Sequence, residues 1–462
     1  MNLGIDALKK QLHKAAWTTD PDIIAPHLSE WRDLYFGYTP IMLTPNNTAE
    51  VAQSIKICRN YGLKVVPQGG NTGLVGGQTP QGEVLISLRK MSKIRSVNRT
   101  NNSILIEAGA TLKTLQNAAA NVGKKFPLSL ASEGSCTVGG VLSTNAGGVH
   151  VLKYGTTKDL VFGVEAVLAD GQIFNGLTDL RKDNTGYDLS RLFLGAEGTL
   201  GIITAASLKL FPKPNYIQRV IVGLSSPQDA LSLLEMASCS SALAMFEVMP
   251  AIGMRLVTDN IVGQYYPFER PHNWFAIIDW EVDSAEAGYL IAENILGKAL
   301  ESDLAQDVII AQSQAQAAKL LALRENISEA QKFLGGSVKL DITVPIFEIP
   351  NFLNKADAAI FHAIPGARPV AFGHFGDGNI HYNIGRPEAM GSEMFLSRWE
   401  DISTIVYDIV ESFQGSISAE HGIGIMKKSE LAGRADPVKL ALLKAVKNAL
   451  DPKNVMNPRV LI

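Results

Sequence analysis

Apolar and polar positions along the chain predict helices and strands in mixed order. Residues 48–61 place Val51, Ile55 and Cys58 at helical spacing, with Thr48 as the expected cap and Gly62 after the last turn. Residues 63–67 then predict a strand. Further apolar runs predict strands at 84–88, 104–107, 161–168, 220–224 and 274–280, and helical periods predict helices at 111–121, 227–237, 285–300 and 440–450. This alternation is typical of an α+β protein.

Length and composition indicate a globular enzyme of more than one domain. A chain of 462 residues exceeds what one core usually supports, so two or three domains are expected, with a boundary near Pro212 and Pro214. Hydrophobic residues make up 46% and charged residues 19%. The net charge of −3, without a dense Lys/Arg tract, predicts no nucleic-acid partner.

Cysteine usage and the N-terminus predict a soluble cytosolic protein. Cys58, Cys136 and Cys239 are too few and too widely spaced for a disulfide framework or a cysteine-based zinc ribbon. Three lysines interrupt residues 1–20, so the apolar region of a signal peptide is missing. No apolar run of about 18 residues predicts a transmembrane segment.

Two glycine-rich turns near the C-terminus carry residues suited to a metal. Asp377-Gly378 predicts a two-residue hairpin turn with both residues at positive φ, which would place His374 opposite His381. Opposed side chains have Cβ atoms roughly 4.5–5.5 Å apart, so both imidazoles would reach one ion. Glu420 would be a third ligand, and His421 would remain available as a base. The spacing leaves redox and hydrolytic chemistry both open.

Three glycine-rich stretches, residues 68–77, 135–148 and 195–201, predict one extended ligand. Successive backbone N–H groups in such loops suit a pyrophosphate. The chain contains neither G-x-G-x-x-G nor the glycine-rich P-loop motif, so a Rossmann NAD site and a P-loop nucleotide site are not expected.

These stretches, together with Tyr154-Gly155 and residues 181–188, resemble the FAD domain of the vanillyl-alcohol oxidase superfamily. Within it, the resemblance is closest to D-2-hydroxyglutarate dehydrogenases and runs from about Pro45 to Asn457-Pro458. It implies an α+β protein with a p-cresol methylhydroxylase-type FAD-binding domain of two α+β subdomains and an antiparallel-sheet substrate domain. The implied divisions are an N-terminal segment at 1–45, the FAD-binding domain at 46–215, the substrate (cap) domain at 216–410, and a helical C-terminal segment at 411–462 that completes the active site and packs on the FAD domain.

The resemblance also implies which residues contact FAD. Gly69–Gly73 and Ser135–Gly140 are expected to hold the diphosphate and neighbouring groups, with Asn457 near the isoalloxazine. Superfamily members with covalent flavin often attach it through a histidine in the first glycine loop, where this chain has Asn71, so non-covalent FAD is expected. The full expected set is Gly69, Gly70, Asn71, Thr72, Gly73, Ser135, Cys136, Gly139, Gly140, Asn145, Gly147, Gly201, Ile203 and Asn457.

For the substrate, the resemblance implies a metal-dependent 2-hydroxy acid site. The metal ligands are again His374, His381 and Glu420, and the expected substrate contacts are Arg324, Ser328, Lys339, Asn383 and His421. Arg324 offers a planar fork to the C1 carboxylate, and Lys339 offers a point charge to a distal one. The chain departs from the family pattern at Ser328, where threonine is usual, and at Leu340, where tyrosine often follows the lysine. Leu340 would remove a polar contact, which leaves the distal group of the substrate open.

The expected function is oxidation of a D-2-hydroxy acid, with proton abstraction by His421 and hydride transfer to FAD. D-2-hydroxyglutarate is the expected substrate, D-malate is a close second, and D-lactate is the main enzymatic alternative. A non-catalytic electron-relay flavoprotein and a metal hydrolase are alternatives of other classes. Zinc is the expected metal, although manganese, iron or cobalt would also suit the ligands. The expected electron acceptor is an electron-transfer flavoprotein or a quinone, and a homodimer is left open.

Overall fold

Two compact units make up the protein. A computed structural model describes residues 3–462. The first unit consists of the described residues up to Gly147, together with Tyr154–Lys213 and Glu420–Ile462; the second consists of Gly148–Lys153 and Pro214–Ala419. Both contain helices and strands, which confirms the predicted α+β class. The first unit is therefore assembled from parts of the chain that precede and follow the second.

The first unit contains two main sheets and one two-stranded ribbon. Its strands are β1 (Trp17–Thr18), β2 (Met42–Leu43), β3 (Val65–Gln68), β4 (Val84–Ser87), β5 (Ile94–Asn98), β6 (Ser103–Glu107), β7 (Lys124–Lys125), β8 (Val161–Val167), β9 (Ile173–Asn175), β10 (Ile202–Lys209) and β11 (Phe211–Pro212). One sheet has the order β1-β2-β4-β3, with β4 parallel to β2 and β3; the other has the antiparallel order β5-β6-β10-β8-β9; β7 pairs with β11. All four residues of β4 are buried, as is typical of a strand flanked by parallel neighbours.

Several helices of the first unit begin at side-chain caps. The α-helices are Leu3–Gln11, Pro21–Ile24, Thr48–Asn60, Leu112–Ala120, Val138–Thr144, Lys428–Arg434 and Pro437–Leu450, and the 3₁₀ helices are Lys14–Ala16, Ala25–His27, Thr157–Leu160 and Leu189–Phe193.

The expected cap at Thr48 is wrong, because the Asn47 side chain accepts the N–H of Glu50 at 2.9 Å. Thr48 is the first helical residue, and its hydroxyl donates to Glu165 at 2.6 Å.

Residues near the C-terminus are tied into the first unit by a buried lysine. Lys447 donates to the Asp451 carboxylate at 2.6 Å and to the carbonyl oxygens of Thr199 and Met456, both at 2.8 Å. The backbone N–H of Val65, the first residue of β3, donates to the carbonyl oxygen of Val455 at 2.9 Å. The terminal segment therefore supports the strand that leads into the first glycine-rich stretch.

One seven-stranded antiparallel sheet forms the centre of the second unit. Its strands are β12 (Tyr216–Leu224), β13 (Leu243–Pro250), β14 (Trp274–Val282), β15 (Asp307–Ile310), β16 (Ser337–Thr343), β17 (Arg368–His374) and β18 (Asn379–Gly385). Their order across the sheet is β15-β12-β14-β13-β17-β18-β16.

Both faces of this sheet are covered, so its strands are largely apolar on each side. Along β12, Val220, Val222 and Leu224 belong to one core cluster, and Ile221 belongs to the other. Complete burial of a large apolar side chain such as Phe246 contributes about 1.5–3 kcal/mol. A charged residue buried on either face therefore needs compensating partners.

Helices on each side complete the two cores. The α-helices of the second unit are Pro227–Ala237, Ala251–Asn260, Ala285–Glu301, Gln314–Glu325, Ile327–Ala330, Ile349–Ala363, Ser392–Leu396 and Trp399–Ser412; the 3₁₀ helices are Gln331–Leu334 and Ile346–Glu348; Val151–Tyr154 falls where the chain passes from the second unit to the first. Ala251–Asn260 and Gln314–Glu325 pack on the face that includes Ile221. Within the described residues, no helix is both long and apolar enough to cross a membrane.

Candidate functional site

The first glycine-rich stretch leaves β3 as a loop whose backbone donors are available. Among residues 3–462, none of the backbone N–H groups from Gly69 to Leu74 donates a hydrogen bond. A Cβ added at Gly69 would collide with the Thr137 hydroxyl, and one added at Gly70 with the Ser135 carbonyl oxygen. The loop thus packs on the second glycine-rich stretch through positions that tolerate no side chain. Such a run of donors suits a phosphate group.

The second stretch is a turn that starts the Val138–Thr144 helix. Thr137 caps this helix, and the N–H groups of Gly139 and Gly140 already donate to Ala108 and Thr137. Asn145 ends the helix in the left-handed region, with φ at 50°, and its side chain accepts the N–H of Lys158 at 2.9 Å. Ser135 is exposed and Cys136 is buried, the latter with a thiol pKa raised by burial. This stretch therefore contributes closely packed backbone to the expected cofactor site, and fewer free N–H donors than the first stretch.

The third stretch is held by a buried glutamate. Glu197 has φ at 51°, and its carboxylate accepts the N–H groups of Ile423 and Gly424, both at 2.8 Å. Burial raises the Glu197 pKa, although these N–H bonds and the charge of Lys427 act in the opposite direction. Gly201 and Ile203 follow as buried residues before and within β10.

Two asparagines expected near FAD have different surroundings. The Asn457 amide donates to the carbonyl oxygens of Gly77 and Glu197, at 2.9 and 2.8 Å, while its Oδ1 is buried without a hydrogen-bond partner among the described residues. Asn71 has φ at 57° and donates to the carbonyl oxygens of Ser29 and Pro26, at 2.8 and 3.2 Å. The Asn71 side chain therefore holds the segment around residues 26–29.

These features fit a dinucleotide cofactor. The first unit brings the three stretches together: a Cβ at Gly198 would lie 2.5 Å from Pro67, and one at Gly195 would lie 3.4 Å from Asn145. Available N–H groups from Gly69 to Leu74, close-packed glycines and the unpartnered Asn457 oxygen are suited to diphosphate and ring edges.

Glu420 and His421 begin the last segment of the same unit. A Cβ at Gly147 would lie 2.7 Å from Oε1 of Glu420, so the second glycine-rich stretch directly adjoins this carboxylate. Gly422 has φ at 81°, and a Cβ there would lie 2.8 Å from the Glu197 carboxylate. Glu197 thus fixes the backbone immediately after His421.

In the second unit, the hairpin that carries His374 and His381 differs from the expected one. β17 ends at His374 and β18 begins at Asn379, so residues 375–378 connect them and only Gly378 among these has positive φ. His374 lies opposite Asn379, and His381 lies opposite Phe372. The prediction of a two-residue turn is wrong. The Asp377 side chain accepts the N–H of Asn379, so Asp377 stabilises a longer turn and is not one of two residues at positive φ.

The two histidines nevertheless face the same way. His374 and His381 are diagonal neighbours on one sheet face, and their ring centroids are 5.4 Å apart. Asn383 lies two residues further along the same face, as expected. In the adjoining strands, Glu247 pairs with His374 and Asp341 pairs with His381. A polar patch therefore interrupts an apolar layer.

Each imidazole has a buried carboxylate beside Nδ1. Glu247 Oε1 hydrogen bonds His374 Nδ1, and Asp341 Oδ1 lies 3.5 Å from His381 Nδ1. Burial alone would raise the Glu247 pKa, but Arg324 and His374 lower it to about 2. Burial lowers the pKa of His381, against the effect of Asp341. A carboxylate can only accept, so the hydrogen of the Glu247–His374 bond lies on His374 Nδ1, and the Nε2 side of the ring is directed away from Glu247.

Arg324 adds a buried positive charge to this patch. It is 7% exposed, its Nε donates to Glu247 Oε2 at 2.6 Å, and its guanidinium carbon lies 4.7 Å from the ring centre of Phe372. Among the described residues, neither Nη1 nor Nη2 of Arg324 has a hydrogen-bond partner. Two parallel donors are thus left for an anion such as a carboxylate.

The remaining expected substrate contacts are distributed around this patch. Asn383 is buried and donates to Gln331 Oε1 at 3.0 Å, and Lys339 pairs with Asn383 on the neighbouring strand. Ser328 is exposed, one turn after Arg324. The interpretation of Leu340 as a lost polar contact is wrong: Leu340 lies opposite Tyr382 in the core of the other sheet face.

Three residues that position this chemistry were missed from the sequence. Glu247 is the single charged residue in a strand whose other seven members are apolar, and that isolation is a readable signal. Asp341 follows Lys339 by two residues and so shares its face, which the strand period also indicates. Gln331 has no such signal, because its partner Asn383 is 52 residues away.

Comparisons with known proteins agree with this architecture. Residues 213–461 match the family described as FAD linked oxidases, C-terminal domain, and residues 39–176 match the FAD binding domain. The first match covers more than half of the chain. The chain belongs to the FAD-linked oxidase family and is an FAD-dependent dehydrogenase.

Several relatives align over nearly the whole chain. The mitochondrial D-2-hydroxyglutarate dehydrogenase of Arabidopsis thaliana is 37% identical over 433 residues, which cover 93% of this chain and 76% of that protein. The Bos taurus protein of the same name is 36% identical, over 95% of this chain and 80% of its own. A D-2-hydroxyglutarate–pyruvate transhydrogenase of Saccharomyces cerevisiae is 33% identical, over 95% and 89%.

Solved structures establish the fold. p-Cresol methylhydroxylase with substrate bound aligns with a TM-score of 0.77 at 16% identity, over 99% of this chain and 96% of that chain. An alkyldihydroxyacetonephosphate synthase aligns with a TM-score of 0.73 at 18% identity, over 99% and 84%. These similarities confirm the expected p-cresol methylhydroxylase-type fold.

The packing of the first glycine-rich stretch predicts the effect of one added methyl group. Gly70→Ala should weaken FAD binding about 5- to 150-fold, because relieving a steric overlap of this kind typically costs about 1–3 kcal/mol. Titration of apoprotein with FAD measures the affinity. Gly134→Ala is the matched control, since an added Cβ there meets no atom within 4 Å. Equal FAD affinity in both variants would exclude the Gly70 loop from the cofactor site.

Proposed function

We propose that this chain is an FAD- and divalent-metal-dependent dehydrogenase that oxidises D-2-hydroxyglutarate to 2-oxoglutarate, with D-malate as a shorter substrate. One observation carries the proposal: two imidazoles oriented by buried carboxylates share a sheet face with a buried guanidinium that has two unbonded amino groups. Metal ligands next to an anion site suit a hydroxyl and a carboxylate on adjacent carbons. The names of the plant and cattle relatives support the same substrate.

His374 and His381 would hold the metal through Nε2, since each Nδ1 is directed to a carboxylate. Glu420 is the third ligand that we propose. Three nitrogen and oxygen ligands with open positions are typical of a catalytic zinc site, and manganese, iron or cobalt would also suit them. A metal bound there would polarise the substrate hydroxyl and lower its pKa.

Arg324 and Lys339 would bind the two carboxylates of the substrate. The unbonded Nη atoms of Arg324 offer a fork to the C1 carboxylate, and its contacts with Glu247 and Phe372 hold that fork in one orientation. Lys339 would meet the distal carboxylate as a point charge. Asn383, held by Gln331, and Ser328 would contribute polar contacts to the hydroxy acid.

His421 would take up the hydroxyl proton, a role for which imidazole is suited near neutral pH. FAD supplies the chemistry of hydride acceptance from C2 when it is bound. Arg324 and the metal-binding histidines would keep the substrate in one orientation during transfer, which removes much of the entropic barrier. The glycine-rich stretches that suit FAD argue against a metal hydrolase. The buried Arg324, whose Nη atoms are unbonded, argues against a passive electron-relay protein.

Substrate reduction of the bound flavin tests this proposal. Adding D-2-hydroxyglutarate anaerobically should bleach the flavin absorbance of the purified protein, because C2 delivers a hydride to FAD. Bleaching should fail after chelation and return on adding Zn²⁺ or Mn²⁺. Reoxidation by a quinone or by an electron-transfer flavoprotein would then identify the acceptor.

The L enantiomer provides the control for that experiment, since its single C2 hydrogen would be directed away from the flavin when the carboxylate and the hydroxyl occupy the same sites. Bleaching that survives complete removal of metal would disprove the metal requirement. Bleaching by D-lactate with higher kcat/KM than by either dicarboxylate would overturn the substrate assignment.

His421→Ala should lower kcat for D-2-hydroxyglutarate on the order of 10²–10⁴-fold, because the hydroxyl proton loses its acceptor. FAD content and metal content should remain at their original levels. Stopped-flow flavin reduction measures the chemical step, and His362→Ala, an exposed helix position, is the control. Near-normal reduction by His421→Ala would remove this residue from the mechanism.

Lys339→Ala should distinguish dicarboxylate from monocarboxylate substrates. Loss of a charge-assisted contact should raise KM for D-2-hydroxyglutarate by roughly 10- to 150-fold, equivalent to about 1.5–3 kcal/mol, and change KM for D-lactate little. Lys319→Ala, an exposed change on the helix that carries Arg324, is the control. Equal changes in KM for the two substrates would argue against a role for Lys339 at the distal carboxylate.

A further inference from the structure

Glu247 occupies an unusual position in the second unit. It is 1% exposed and lies in β13, where all eight residues are buried. A lone carboxylate in such a layer would be strongly destabilising, so its partners must compensate the burial. Among the acidic residues of the polar patch, Glu247 contacts both the His374 imidazole and the Arg324 guanidinium.

The two carboxylate oxygens of Glu247 are divided between two partners. Oε1 bonds His374 Nδ1, and Oε2 accepts from Arg324 Nε at 2.6 Å. Asp341 differs: it lies beside His381 and accepts from Asn379 Nδ2 at 2.9 Å, without a contact to Arg324. Glu247 is therefore a shared anchor, whereas Asp341 makes no hydrogen bond or ion pair with Arg324.

Sharing one anchor fixes the distance between the two groups. His374 cannot shift along the sheet face, and Arg324 cannot swing away, without breaking a charge-assisted bond inside an apolar layer. Arg324 is further confined by the ring of Phe372. The Glu247 side chain therefore sets the distance between an anion bound to the Arg324 guanidinium and a metal ion bound to His374 Nε2.

We propose that Glu247 is a positioning residue that couples the metal-binding imidazole of His374 to the carboxylate-binding guanidinium of Arg324. The inference rests on the proposed function. By setting the spacing of these groups, Glu247 selects acids whose hydroxyl is on the carbon next to the carboxylate. A 3-hydroxy acid, with one more carbon between the two groups, would not satisfy both at once.

Substitution by glutamine isolates this role because it preserves shape and removes one acceptor. Both partners donate to Glu247, but a carboxamide offers one acceptor oxygen and one donor NH₂ group. Either Arg324 loses its contact, or His374 must carry its hydrogen on Nε2 and can no longer bind a metal there. Glu247→Gln must therefore damage metal binding, anion binding or both.

Two binding measurements on the FAD-loaded protein test the coupling. Competition with a chromophoric chelator gives the Zn²⁺ affinity, and perturbation of the flavin spectrum by 2-oxoglutarate in metal-free protein gives the anion affinity. Glu247→Gln molecules will be divided between those that lose the Arg324 contact and those that change the His374 tautomer. The measured Zn²⁺ affinity should therefore fall about 10- to 100-fold, and the 2-oxoglutarate affinity about 10-fold or more. The ratio of kcat/KM for D-2-hydroxyglutarate over 3-hydroxyglutarate should fall in parallel.

Asp341→Asn is the matched control, because it disturbs one histidine and leaves Arg324 untouched. It should weaken Zn²⁺ binding to a similar degree while the metal-free affinity for 2-oxoglutarate stays unchanged. Glu247→Asp keeps both acceptor oxygens and should recover part of both affinities. If Glu247→Gln does not fold, Glu247→Asp is compared with wild type alone, and both of its affinities should be lowered together.

The outcomes separate this inference from the proposed function. Loss of Zn²⁺ affinity alone in Glu247→Gln, matching Asp341→Asn, would overturn the coupling and leave Glu247 as a histidine-orienting group. Unchanged affinities would overturn it as well. Failure of the wild-type protein to bind Zn²⁺ and 2-oxoglutarate would instead refute the proposed function itself.

Discussion

The chemistry of the second unit depends on compensation of buried carboxylates. An ionised carboxyl group in an apolar layer is destabilised by several kcal/mol unless donors surround it. Glu247 meets this requirement with Arg324 and His374, and Asp341 with Asn379 and His381. Each of these donors is held by its bond to a buried carboxylate, so the remaining polar atoms of the same side chain point in a fixed direction. The reactive atoms are therefore oriented by the same contacts that make burial of the charges tolerable.

In the first unit, backbone N–H groups compensate a buried carboxylate. Glu197 is buried and accepts two backbone N–H groups from the residues just after Glu420 and His421. The loop from Gly69 to Leu74 is the converse case, with donors that lack partners in the described chain. A buried acceptor thus holds the loop that carries the proposed base, and the row of free donors from Gly69 to Leu74 suits phosphate groups.

Much of the fold and part of the site could be predicted from the sequence. Glycine-rich stretches and the His374–His381 turn are local patterns, so their chemistry is visible without tertiary contacts. Glu247 is separated from His374 by 127 residues, and strand pairing alone brings them together. The turn geometry failed because a side chain competed for the backbone at Asp377. Leu340 was misinterpreted although its flanking polar residues already indicated, by the strand period, that it faces the other way.

The division of the first unit into separate parts of the chain has a consequence for synthesis on the ribosome. β3 leads into the Gly69 loop, yet it pairs with Val455 and Met456, and Lys447 secures the same region. These partners emerge only after the entire second unit has been translated. Contacts of such long range form slowly because a large loop must close first. Acquisition of the flavin should accordingly be a late, post-translational event, with the second unit already folded while the first still awaits its final segment.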